Sequence, residues 1–282
     1  MRAPEPVLRA VLFELDGVLF DLRGPRRGAL RDALIDALRP TPARNDPTGA
    51  DEAAVVDALD PAALDAAAAL PADDAVRAGV ALAVAAGSPA AAHCDDVALA
   101  LASHRFDRAL GERLAGGGLT LTAGAREAVE ALGARLRLGV VTRLRRADAD
   151  RLLSAAGLVP AFAVVVAADD RLPAPASRAT RGAAFGAAVA RLAPRVAGLT
   201  ADQVAAFVDA PGAAVQARAA GLRAVLVCAR AWDAGHTGAD IAGVADHGGD
   251  AHLRLLSLRG LTPAALASAL DLAPAPCTRP HA

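Results

Sequence analysis

The stretch A-V-L-F-E-L-D-G-V-L-F-D, residues 10–21, decides how the rest of the chain is read. Ala10 to Phe13 is a short apolar run that stops at an acidic pair, Glu14 and Asp16, followed by Gly17. Such a run reads as a buried strand entering a loop, and glycine permits a tight backbone path there. The pattern returns downstream. Leu138 to Thr142 reads as a strand ending in a hydroxyl, Phe162 to Val166 as one ending before Asp169 and Asp170, and Val204 to Val208 as one ending at Asp209. Ala224 to Cys228 and Leu253 to Ser257 complete the set. Helical patterns occupy 26–38, 125–136, 147–156, 179–192, 213–220 and 263–270, and Gly157 and Gly221 close two of them as C-caps. Strands that alternate with helices specify an α/β fold with a parallel sheet. A Rossmann-like three-layer core is expected.

Between the first strand and the rest, only helical patterns occur. They cover about 51–59, 61–70, 73–86 and 95–114, separated by Pro61, Pro71 and Gly87-Ser88-Pro89. β-branched and aromatic residues are scarce there. The expected organisation is a core of 1–22 and 119–272, an inserted all-helical cap domain at 23–118, and a frayed tail at 273–282.

Composition narrows the function. The chain has 282 residues, 54% hydrophobic and 22% charged, with a formal net charge of -1. That balance argues against nucleic-acid or polybasic membrane binding, since both need excess positive charge. There is no lysine, so all 30 basic residues are arginine. No site here can use an ammonium group. Cys94, Cys228 and Cys277 are far apart and form no metal spacing, which fits a reducing cytoplasm without disulfides. Residues 1–9 lack the apolar region of a signal peptide. The longest apolar stretch, 79–92, is broken by Gly87 and Pro89 and is too short to span a bilayer.

In open parallel sheets the reactive groups gather beyond the carboxyl ends of the strands. The residues expected there are Glu14, Asp16, Thr142, Asp169, Asp170 and Asp209. Carboxylates with one hydroxyl suit a hard divalent cation such as Mg²⁺, which takes oxygen ligands and bridges to phosphate.

Residues 11–21 resemble the first motif of the haloacid dehalogenase superfamily, D-x-D-G-V/T-L. G-V-V-T (139–142) resembles the second motif, L-P-A-P (172–175) the K-P-x-P of the third, and F-V-D-A-P-G-A-A-V-Q-A-R-A-A-G (207–221) the fourth. The helical insert resembles the C1 cap of the beta-phosphoglucomutase-like branch. The resemblance implies Mg²⁺-dependent hydrolysis of a phosphate monoester, the substrate a small phosphorylated metabolite. Glu14 stands at the nucleophile position and Asp16 at that of the acid–base. Thr142 stands where a hydroxyl binds the phosphoryl group. Glu14, Asp16 and Asp209 stand at the metal positions.

Two departures are central. The nucleophile position carries Glu14 instead of Asp, in a chain with six Glu and twenty-five Asp. The lysine position carries Leu172. An extra methylene misplaces the carboxylate by about an ångström, which can cost about 10²-fold. Loss of one electrostatic stabiliser costs about 10²–10³-fold. Val208 is a milder departure. An arginine could restore the charge with a bidentate grip on phosphate. Arg171 lies beside the vacant position and is the first candidate; Arg178 and Arg181 open the following helix, and Arg143 directly follows Thr142. The alternative reading is a catalytically inactive relative that binds a phosphorylated ligand or a protein partner.

Other polar groups read as structure. Asp246-His247-Gly-Gly-Asp250-Ala-His252 has metal-capable residues but also the look of a glycine turn before the last strand. Asp95, after His93 and Cys94, reads as a helix N-cap. His104 and Arg105 read as a solvated helix face, and Gly116 to Gly118 as a linker.

Overall fold

The computed structural model describes residues 7–38, 52–70, 72–117, 119–170, 180–227, 251–255 and 257–272. Its contacts divide the chain into two compact units, residues 1–21 with 120–282, and residues 22–119.

The first unit is a six-stranded parallel sheet. Its strands are β1 (Ala10–Glu14), β2 (Arg137–Val141), β3 (Phe162–Val166), β4 (Val204–Val208), β5 (Arg223–Val227) and β6 (Leu253–Leu255). Their order in space is β3-β2-β1-β4-β5-β6, with every pair parallel. β1 and β4 are therefore neighbours, and the order reverses between them. This mixed α/β architecture is the one expected from the sequence.

Side-chain alternation explains why both sheet faces are covered. Ala10, Leu12, Val204, Ala206, Val208, Ala224 and Leu226 lie on one face, with Phe185, Ala188 and Leu192 of α9 (Thr180–Leu192) and Ala213, Ala214 and Ala217 of α10 (Pro211–Ala219). On the other face Phe13 stacks on Phe207 at 5.0 Å between centroids and meets Phe162 edge-on at 6.1 Å. Each fully buried Phe contributes about 1.5–3 kcal/mol over exposure. Leu138 shares that face and seats Gly133 of α7 (Ala125–Gly133). Helices α8 (Arg146–Ala155) and α11 (Pro263–Ala269) complete the unit.

Boundaries differ from the expected ones for local reasons. β1 runs one residue further, because Glu14 still pairs with Val141. α10 starts at Pro211, whose missing N–H costs nothing in a first helical turn.

The second unit holds α1 (Arg23–Leu38), α2 (Glu52–Asp57), α3 (Pro61–Ala68), α4 (Ala72–Ala85), α5 (Pro89–Ala92) and α6 (Asp96–Ala115). α1 and α6 form its main pairing, with Leu30, Leu34, Phe106, Leu110 and Leu114 buried. Gly79 of α4 admits Leu34 of α1, since a Cβ there would lie 2.8 Å from its methyl carbon. Asp95 caps α6, accepting the Ala98 N–H at 2.8 Å. The turn at Gly87-Ser88-Pro89 contains the short α5, with Ser88 as its cap. Glu52 is buried beneath it, accepting the Ser88 hydroxyl at 2.6 Å and the Ala90 N–H at 3.3 Å. Arg26 is also buried and donates at 2.6 Å each to the carbonyls of Ala68 and Leu70, with its guanidinium 5.5 Å from the Phe106 ring. No helix among the described residues is long and apolar enough to cross a membrane.

Candidate active site

Four of the expected residues converge at the carboxyl ends of β1, β2 and β4. Glu14 ends β1 and is buried. Beyond it the chain folds back on itself: Phe20 N–H reaches Leu15 O at 2.9 Å and Gly17 N–H reaches Phe20 O at 2.8 Å. Thr122 pins this loop from outside, donating its N–H to Leu19 O at 2.9 Å and its hydroxyl to Val18 O. Asp16 is thus held on a short, braced loop, and its side chain is 12% exposed.

Gly17 is needed there for two reasons. Its φ is +76°, the left-handed region. A Cβ at this position would also lie 2.6 Å from Asp209 Cβ. The Asp209 side chain therefore packs directly on the Gly17 backbone, which brings the fourth motif against the first.

Glu14 and Asp209 form the centre of the site. The Asp209 N–H donates to Glu14 Oε2 at 3.2 Å. Burial first, then the charge of Asp209 and a hydrogen bond between the two side chains, push the Glu14 carboxyl up to about 8. The Arg143 guanidinium and the Asp209 N–H pull the other way. Burial and a neighbouring negative charge both disfavour the ionised form of Glu14, so it holds its proton well above the usual carboxylate range.

Thr142 follows β2 and is buried. Its N–H bonds Val166 O at 2.9 Å, and its Oγ1 accepts the Leu144 N–H at 3.1 Å, which leaves its own O–H to be donated. Arg143 comes next, 19% exposed, with a guanidinium nitrogen 3.6 Å from Asp16 Oδ2.

Asp169 and Asp170 are diverted from the cluster. Asp169 Oδ1 accepts the Arg146 N–H at 2.7 Å and so caps α8 from the loop after β3. Asp170 binds the Arg146 guanidinium at 2.7 and 3.0 Å and that of Arg191 at 2.5 Å. Burial opposes its charge, but these bonds outweigh it and hold the carboxyl below its ordinary range. The two aspartates anchor helices to the sheet. The sequence carries one signal for this, the arginine that opens α8.

Arg171, Leu172 and Arg178 lie outside the described residues, as do Asp246, His247, Asp250, Cys228 and Cys277, and nothing is described of the Arg181 side chain. His252 is described. Its Nδ1 accepts the Ala224 N–H at 3.0 Å, which joins β5 to the start of β6.

The donor set can be tested against a hard cation. Among the described residues, no group of three or more His, Cys, Asp or Glu is gathered for a metal ion. Glu14 and Asp209 nevertheless offer two adjacent carboxylates whose mutual repulsion a cation would relieve. Mg²⁺ often uses one or two carboxylates and keeps several waters. The pair fits such an ion, while the Asp16 side chain faces Arg143.

No family model and no curated protein matches the chain. Solved structures do. CbbY from Rhodobacter sphaeroides, in complex with phosphate, is 16% identical with a TM-score of 0.59, over 94% of this chain and 100% of that one. Beta-phosphoglucomutase from Clostridium difficile is 12% identical with a TM-score of 0.58, over 94% and 98%. A haloacid dehalogenase-like family hydrolase from Streptococcus pneumoniae is 14% identical with a TM-score of 0.54, over 79% and 85%. The chain has the haloacid dehalogenase-like fold. The segments that resemble the first, second and fourth motifs fall at the ends of β1, β2 and β4. The third, 172–175, lies outside the described residues.

Proposed function

We propose that the protein is a Mg²⁺-assisted phosphohydrolase of the beta-phosphoglucomutase-like branch, acting on a small phosphorylated metabolite in a reducing cytoplasm. One observation carries the reading: the buried Glu14 meets the half-buried Asp209, with Asp16 and Thr142 at the same end of the sheet. Glu14 and Asp209 would hold the cation. Bound there, Mg²⁺ supplies positive charge against the phosphoryl oxygens.

The protein's own groups divide the remaining work. A Glu14 oxygen attacks phosphorus and the ester oxygen leaves, taking a proton from Asp16. Asp16 then removes a proton from water, whose oxygen attacks the acyl phosphate and releases inorganic phosphate and Glu14. Thr142 donates its hydroxyl to a phosphoryl oxygen throughout.

A second reading has its own support. Burial and the charge of Asp209 push the Glu14 carboxyl up to about 8, which disfavours the carboxylate form that a nucleophile needs. With Leu172 at the lysine position, this favours a binding protein that holds a phosphorylated ligand without hydrolysing it. Phosphate release from a panel of phosphomonoesters, with and without Mg²⁺, separates the two. The enzyme reading requires metal-dependent release that Glu14→Gln and Asp209→Asn each abolish. Release that survives Glu14→Gln overturns Glu14 as nucleophile. Ligand-induced stabilisation without release establishes the second reading.

A further inference from the structure

The cluster needs a positive charge to receive a phosphoryl group, and a chain without lysine must take it from arginine. Arg146 and Arg191 lie at the end of β3, where they bind Asp170 and the Val165 carbonyl. Arg143 is placed differently. It follows Thr142 directly after β2, and its charge acts on Glu14. Its guanidinium stands 3.6 Å from Asp16 Oδ2 in a largely buried position, on the acidic side of the site.

Resting on the phosphoryl-handling reading of this site, we infer that Arg143 is the cation that grips the phosphoryl group, in place of the lysine missing at position 172. A guanidinium offers a planar fork that meets two phosphoryl oxygens, where an ammonium acts as a point charge. The contact with Asp16 holds that fork in the site before ligand arrives. A dianionic phosphate monoester then competes with one carboxylate for the same donors. Neutral esters and monoanionic diesters gain less from such a fork.

The test uses the full-length protein and two probes, inorganic phosphate binding by calorimetry in Mg²⁺ and turnover of a phosphomonoester. Arg143→Ala should weaken phosphate at least about tenfold and lower turnover by about 10²–10³-fold. Arg143→Lys should fall between. If parent protein binds phosphate and Arg143→Ala binds it within about threefold, the inference is overturned while the phosphohydrolase reading stands. If parent protein binds phosphate without turnover, loss of binding in Arg143→Ala still supports the grip, and only hydrolysis falls. If parent protein neither binds phosphate nor releases it, both fall. Should Arg143→Ala fail to unfold cooperatively, Arg143→Lys and Arg143→Gln decide: equal phosphate affinity in both overturns the role of the fork.

Discussion

Asp209 donates its backbone N–H to Glu14 Oε2 across 195 positions of sequence, while its own carboxylate raises the proton affinity of that same group. The contact both attracts and opposes a charged Glu14. β1 and β4 are neighbours in the sheet, so their two end carboxyls have no room to part. The site is under electrostatic tension that either a proton or a cation can relieve.

The proton makes stability depend on pH. Glu14 is raised from 4.5 to about 8, so between these values the folded state holds a proton that the unfolded chain has lost. Its stabilisation is complete below the lower value and is lost as pH rises through the upper one. Glu14→Gln, which cannot ionise, should melt above the parent at about pH 9 and level with it at about pH 5. A melting difference that is the same at both pH values counts against the shared proton.

A cation must displace that proton. Apparent Mg²⁺ affinity should therefore rise with pH, by about tenfold per unit below the Glu14 value. Asp209→Asn should remove most of the affinity and flatten the dependence. Calorimetric titration at two pH values reads both effects.

Gly17 is a checkpoint for the packing of Asp209. Gly17→Ala meets a φ of +76° and places a methyl group against the Asp209 side chain. Gly157→Ala meets a φ of +66° with nothing within 4 Å. The backbone term is about 1–2 kcal/mol in each. Gly17→Ala should cost more than Gly157→Ala in urea unfolding and should also weaken Mg²⁺, whereas Gly157→Ala should leave Mg²⁺ affinity unchanged.

Asp170→Ala tests the anchoring role. It removes charge-assisted bonds to Arg146 and Arg191, which are each about a third exposed, so the expected loss is about 1.5 kcal/mol, near the low end for such bonds. The Asp170 carboxyl is held below its ordinary 3.8, so its contribution is present above that value and lost as pH falls through the folded one. Parent and variant should converge in acid, as denaturant midpoints at neutral and acid pH would show.

In the helical unit, Glu52→Ala strips the acceptor from the Ser88 hydroxyl and the Ala90 N–H, beneath the turn at Gly87-Ser88-Pro89. The expected cost is about 1–3 kcal/mol, and Glu52→Gln should retain part of it. Chemical denaturation of both variants measures the difference.

The sequence by itself determined the elements and their type. Apolar runs such as 10–13 and 204–208, and the glycine and proline that punctuate the helices, act over a few residues, so their message survives without tertiary context. The same locality placed Glu14, Asp16, Thr142 and Asp209 at strand ends and Asp95 at a helix cap. Tertiary structure alone decided which carboxylates share a site. Asp169 and Asp170 are as acidic as Asp209, yet β3 ends beside the arginines of α8 and α9 while β4 ends beside β1. It also chose Arg143 as the guanidinium facing Asp16. Charge and hydrogen bonding act through space over a few ångströms, and the strand order that sets those distances joins residues nearly two hundred positions apart.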